Sequence, residues 1–190
     1  MVSRRPRLIL ASASPRRARI LESLGLKFEV RPADVDESVL PGESPVAAVR
    51  RLARAKALVP KRGGPDCVIG ADTLVVLAAR ILGKPKDRSE ARSMLRRLSG
   101  RTHVVVTGVA VAWRGGMTTA VDLTRVRFRK MTEGEIGRYV RTGEPLDKAG
   151  AYHVEGGGAA FIESIDGSPT NVAGLSVTTA RRLLQRAGVT

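Results

Sequence analysis

Leu8–Leu24 reads LILASASPRRARILESL, and the rest of the chain is organised around this stretch. Leu8-Ile9-Leu10 is an apolar run long enough for a buried strand. Ser12, Ser14 and Pro15 then signal a helix start. Ser14 suits the N-cap, and Pro15 the first helical position, where its missing N–H costs nothing. Ile20, Leu21 and Leu24 supply an apolar stripe, and Gly25 ends it. Arg16 and Arg17 therefore fall in the first helical turn, where the positive end of the helix dipole disfavours cations. Two arginines, exposed backbone N–H groups and two serine hydroxyls at one helix start make an anion site, better matched to a phosphate chain than to a lone carboxylate. The other reading is that both arginines are ordinary surface residues of an arginine-rich chain, and spacing alone does not separate the two.

The chain has 190 residues, enough for one domain or one core with two lobes. Hydrophobic residues make up 43% but aromatics only 3%, so the core is expected to be Val, Leu, Ile and Ala. So few aromatics argue against a binder of single-stranded nucleic acid that stacks bases. The formal charge is +15, from 33 Lys and Arg against 18 Asp and Glu, and the cations are spread along the chain. Such a field suits a nucleic acid and a nucleoside triphosphate equally. Cys67, the single cysteine, begins an apolar run and reads as a buried thiol. Arg4, Arg5 and Arg7 before LILASAS mimic a signal peptide, but the apolar core is shorter than the roughly 7–15 residues such signals need. No stretch approaches the about 20 apolar residues of a membrane span. A cytoplasmic protein is expected.

Further along, Lys27–Arg31 alternates as a strand does, and Asp34, Asp36 and Glu37 form an acidic loop. That loop is either simply solvated or a source of hard oxygen ligands for Mg²⁺. Ser44 and Pro45 start a second helix with the stripe Val46, Val49, Leu52, Ala53 and Ala57. Lys56 falls inside that stripe, so it either snorkels at the core edge or meets a carboxylate or ligand oxygen. Pro60–Pro65 reads as a basic, glycine-containing loop. Asp72 and Thr73 interrupt the apolar strand CVIGADTLVVL at Cys67–Leu77. A carboxylate there needs a cation, and Lys56, Lys84 and a metal are the candidates. Residues 74–84 read as a hairpin, Asp87 with Glu90 as a capping box, and Thr102–Trp113 and Ala120–Phe128 as strands about Gly115-Gly116. Thr132 with Glu135 opens another helix through a capping box. Gly156-Gly157-Gly158 either allows close approach of a ligand or makes a turn. Ala160–Ile165 reads as a strand, Asp166-Gly167 as a hairpin-type turn, and Asn171–Leu184 as a final helix. His103 and His153 lie in no partnered motif and are expected to be bystanders.

The run Ser12-Ala13-Ser14-Pro15-Arg16-Arg17 resembles the S-x-S-P-R-R signature of the Maf family, the septum-formation-inhibitor-like nucleotide pyrophosphatases. Glu37 in DVDES, Lys56 in ARAKA, Gly70-Ala71-Asp72-Thr73, Gly83-Lys84-Pro85 and Asp147–Tyr152 (DKAGAY) resemble its later motifs, in the family's order and over essentially the whole chain. The resemblance implies a single domain over 1–190 of the α/β class. Its fold would be an elongated mixed β-sheet flanked by helices, with two lobes around a central cleft, as in inosine triphosphatases.

The resemblance also implies a reaction: hydrolysis of a nucleoside triphosphate between the α and β phosphates. Asp72 would be the general base, with Lys56, Lys84 and Glu37 beside it. Ser12, Ser14, Arg16 and Arg17 would hold the phosphates, and Mg²⁺ or Mn²⁺ would bind at Glu37 and Asp72. A homodimer is frequent in the family; neither membrane nor nucleic acid is an expected partner. Phosphoryl transfer needs charge neutralisation, positioning and a base, and this set supplies each. Arg16 and Thr73 resemble the branch acting on dTTP and UTP, which has glutamine where this chain has Glu155. A glutamine amide donates and accepts, whereas a carboxylate only accepts, so relaxed or altered base selection is expected. The rival class is a basic nucleic-acid-binding module, which explains the charge but not Asp72, Glu37 or Lys56.

Overall fold

The opening apolar run is a strand, β1 (Arg7–Leu10), with Leu8, Ile9 and Leu10 buried. The computed structural model describes residues 7–59 and 66–189. Arg4, Arg5 and the loop expected at Pro60–Pro65 lie outside the described residues. β1 runs parallel to β2 (Phe28–Val30) and to β3 (Asp66–Leu77). β4 (Arg80–Leu82) folds back antiparallel on β3, through a turn in which Ala78 and Ala79 take left-handed φ values of 46° and 64°. β5 (Thr102–Trp113), β6 (Gly116–Phe128) and β7 (Ile162–Asp166) complete a seven-stranded mixed sheet of order β2-β1-β3-β5-β6-β7, with β4 on β3.

The helices begin where side chains can take their first N–H groups. α1 (Pro15–Ser23) is capped by Ser14, α2 (Pro45–Leu58) by Ser44, α3 (Arg88–Leu98) by Asp87 and α4 (Glu133–Arg141) by Thr132, each accepting from the backbone N–H three residues on. The Thr132–Glu135 box is reciprocal. At Asp87 it is not, because the Glu90 carboxylate takes the N–H of Lys86 instead, at 2.7 Å.

The chain forms two compact units, and β3, β5 and β6 each contribute to both. The first holds the residues up to Asp72, Thr107–Asp122 and the segment from Gly174 onward. Ile9, Ala11 and Val68 form one of its apolar clusters, and Ala53, Ala57, Ala110 and Ala112 another. The second unit holds Thr73–Val106 and Leu123–Ala173. Its core includes Leu95, Leu98, Val126, Phe128, Ile136 and Phe161. No helix among the described residues is long and apolar enough to cross a membrane.

The last forty residues depart from the sequence reading. Gly157–Phe161 is a 3-10 turn, and the strand begins only at Ile162. Asp166-Gly167 makes no hairpin: Ser168 donates its N–H to Thr124 Oγ1 at 3.1 Å and caps the short α5 (Pro169–Val172). The final helix is α6 (Val177–Arg186), separate from α5. Gly174 has φ 113°, outside any helix, and the Ser176 hydroxyl captures the N–H of Thr179 to start α6 afresh.

Two further side chains are buried, Cys67 in the first unit and His103 in the second. Cys67 is fully buried, and burial pushes its thiol up to about 12. His103 is 1% exposed, stands edge-on to Phe128 and Tyr152, and has Nε2 2.9 Å from the Tyr152 hydroxyl. Burial lowers its pKa to about 4. A histidine whose folded pKa lies below its unfolded one binds fewer protons when folded, so stability falls as pH drops through the unfolded pKa of about 6.5. The expected loss between pH 7 and pH 5 is about 2 kcal/mol, read as the shift in denaturant unfolding. His103→Leu is expected to flatten that dependence; an unchanged slope would assign it to other groups.

Candidate active site

Two strand glycines seat the helix that carries the buried lysine. A Cβ on Gly70 would stand 2.5 Å from the Ala53 carbonyl oxygen and 2.6 Å from Ala57 N. One on Gly108 would stand 2.2 Å from the Val49 carbonyl oxygen. α2 therefore rests backbone-to-backbone on β3 and β5, with small alanines filling the seam. This close approach brings Lys56, 5% exposed, to Asp72, 6% exposed, in β3.

Lys56 Nζ lies 2.7 Å from Asp72 Oδ1 and 2.5 Å from Glu37 Oε1. One ammonium thus gathers the loop carboxylate and the strand carboxylate to one point. Burial raises the Asp72 pKa, against the pull of Lys56 and Arg17, and the Glu37 charge adds to the rise. A carboxyl so placed is more basic than an ordinary aspartate.

Arg17 turns inward from the start of α1. It donates from Nε to the Gly174 carbonyl at 2.9 Å and from Nη1 to Ser12 Oγ at 3.0 Å. Ser12 Oγ also accepts the N–H of Ser14, at 3.2 Å. Burial lowers the Arg17 pKa; Asp72 and Glu37 oppose that effect and Arg16 reinforces it. Ser12, Ser14, Arg16, Arg17, Glu37, Lys56 and Asp72 all belong to the first unit. Gly174 escaped the sequence reading because a carbonyl acceptor leaves no mark in sequence. Gly108 was detectable: a glycine inside a valine-rich strand signals close backbone approach.

Thr73, Lys84 and Glu155 belong to the second unit. Thr73 follows Asp72 in β3 and is half-buried, while Lys84 is exposed between β4 and α3. Gly83, before Lys84, accepts the N–H of Gly150 through its carbonyl at 3.0 Å, so the DKAGAY segment braces the lysine's loop. Glu155 is exposed, 3.9 Å from His153 Nε2, and with Val154, Ile162 and Ile165 lines an apolar hollow of about 370 Å³.

The glycine triplet after Glu155 does allow close approach, but to the chain's own groups. A Cβ on Gly156 would meet Glu144 Oε2 at 2.6 Å, and one on Gly158 the His153 N at 2.7 Å. Among the described residues, no group of three or more His, Cys, Asp and Glu is placed to hold a metal ion by itself.

The family model described as Maf-like protein matches residues 7–187. A dTTP/UTP pyrophosphatase of Anaeromyxobacter dehalogenans is 52% identical over 189 residues, spanning 96% of this chain and 95% of that protein. A dTTP/UTP pyrophosphatase of Aquifex aeolicus is 48% identical over 180 residues, spanning 94% of each. The solved structure of a HAM1 protein from Coxiella burnetii superimposes with a TM-score of 0.53 at 16% identity, over 95% of this chain and 99% of that one, a likeness of fold.

Proposed function

The chain belongs to the Maf-like protein family, and on that premise we propose that it is a nucleoside triphosphate pyrophosphatase, releasing a nucleoside monophosphate and pyrophosphate. The observation that carries the mechanism is the single ammonium of Lys56 holding both Asp72 and Glu37, with Arg17 close enough to act on the charge of both. The family match from 7 to 187 supports reading the chain as one functional domain.

Ser12, Ser14, Arg16 and Arg17 receive the triphosphate at the start of α1, where backbone N–H groups and guanidinium groups meet negative oxygen. Lys56 and Lys84 add positive charge to the phosphates. Asp72 takes a proton from water as the water oxygen attacks the α phosphorus. The bond from that phosphorus to the bridging oxygen breaks, and pyrophosphate leaves with the electron pair. Burial suits Asp72 to this task, since a raised pKa makes it a better base while Lys56 keeps it ionised.

Glu37 and Asp72 fit a divalent cation. Both carboxylates reach the Lys56 ammonium, and together with substrate phosphates they would supply the hard oxygen donors that Mg²⁺ or Mn²⁺ takes. When bound, such an ion spreads the phosphate charge. This reading places the protein in the cytoplasm, where a lone reduced thiol such as Cys67 is at home.

Glu155 reads the base, and the apolar hollow beside it offers a wall for a flat ring. As an acceptor only, Glu155 takes the N3–H of uracil or thymine but gives nothing to their carbonyls. The test is incubation with a mixed nucleotide pool and Mg²⁺ or Mn²⁺. Pyrophosphate and monophosphate should form in equal amounts from dTTP and UTP, with other triphosphates also consumed. Glu155→Gln is expected to sharpen the preference for dTTP and UTP by about tenfold in kcat/KM, the worth of one hydrogen bond. Strict dTTP and UTP use by the parent enzyme would overturn the relaxed selection. Salt-sensitive binding to duplex DNA with no turnover would overturn the enzyme reading in favour of a nucleic-acid module.

A further inference from the structure

The turn that carries Glu155 is fastened at both ends by one carboxylate and one phenol. The His153 N–H donates to Tyr139 Oη at 3.0 Å, and the Tyr139 hydroxyl donates to Glu144 Oε1 at 2.7 Å. Beyond Glu155, Gly157 N donates to Glu144 Oε2 at 3.1 Å and Gly158 N to Glu144 Oε1 at 3.3 Å. Glu155 thus sits on a short arch whose two feet meet on Glu144. The mounting is itself fixed. Thr142 Oγ1 donates to the Tyr139 carbonyl at 2.6 Å and accepts the Glu144 N–H at 3.2 Å, while the Tyr139 ring stands edge-on to Phe161 in the core. The glycines at 156 and 158 leave the space the clamp occupies, since a Cβ on Gly158 would also lie 2.9 Å from Tyr139 Oη.

We propose that Glu144, with Tyr139, is a positioning residue for nucleobase selection, holding the 153–158 arch so that Glu155 meets the base at one fixed height. The inference rests on the reading of Glu155 given above. A clamp of this kind acts on binding of the base and leaves the phosphate chemistry of the first unit alone.

The test measures kcat and KM for dTTP, UTP, CTP and GTP in the full chain, with Glu144→Gln, Tyr139→Phe, Glu155→Ala and the Glu144→Gln/Glu155→Ala double variant. Glu144→Gln is expected to raise KM for the best nucleotide about tenfold with kcat held within about twofold, and to shift the ratios among bases. Tyr139→Phe keeps the ring packed, frees the His153 end and removes one donor from Glu144 while leaving its bonds to Gly157 and Gly158, so a smaller change in the same direction is expected; it serves if Glu144→Gln fails to fold. The double variant should match Glu155→Ala alone, because the clamp works through that side chain. Effects that multiply in the double variant, or that appear only in thermal stability, would overturn the clamp. A Glu155→Ala variant with unchanged KM and base ratios would instead strike the reading of Glu155, and overturn the proposal through it.

Discussion

Asp72→Asn is expected to slow pyrophosphate release by about three orders of magnitude, the middle of the range for loss of a positioned general base and more than any other single side chain here should cost. The asparagine keeps the size of the aspartate and leaves Lys56 its second partner, Glu37, at 2.5 Å. The fold should therefore survive, and nucleotide binding at the start of α1 should persist, because Arg17 keeps its bonds to Ser12 and Gly174. KM should move little while kcat collapses, the signature of a group needed only in the reacting state. Single-turnover release of pyrophosphate from dTTP checks this. Near-normal release would remove Asp72 from the proton transfer and leave it as a structural partner of Lys56.

The second large effect concerns backbone rather than chemistry. Gly70→Ala places a methyl group 2.5 Å from a carbonyl oxygen and 2.6 Å from an amide nitrogen of α2. Neither belongs to a flexible side chain, so the helix must lift off the sheet. Overpacking of this sort costs about 3 kcal/mol. Lys56 rides on the displaced turn, and a shift near 1 Å in a positioning group costs about a hundredfold in rate. Thermal unfolding and pyrophosphate release should thus fall together. Gly83→Ala is the stability control, since an added Cβ there meets nothing within 4 Å. A Gly70→Ala protein with the parent's melting temperature and rate would show that α2 has slack, and that the lysine is placed by its ion pairs alone.

Much of this site can be read from local rules. Ser14-Pro15 and Ser44-Pro45 announce α1 and α2 because a cap and a fixed φ are properties of adjacent residues. Lys56 betrays itself because a charge within an apolar stripe has few places to go, and it is buried against two carboxylates. The end of the chain resists the same rules. Apolar residues at helical spacing run from Asn171 to Leu184, but periodicity does not register that Gly174 must take φ 113° or that its carbonyl is needed by Arg17, far away in sequence. The glycine triplet left two readings open for a similar reason, since the groups it admits, Glu144 and Tyr139, come from elsewhere in the chain.

Ser12 shows how the fold can choose the sense of a contact. Its oxygen accepts from Arg17 Nη1 and from the Ser14 N–H, which occupies both lone pairs of a hydroxyl. Only the hydrogen remains to be offered outward. The rotor is thereby set, and Ser12 faces an incoming ligand with one polarity: it welcomes an electron-rich atom and has no spare lone pair for a cation or an amide hydrogen.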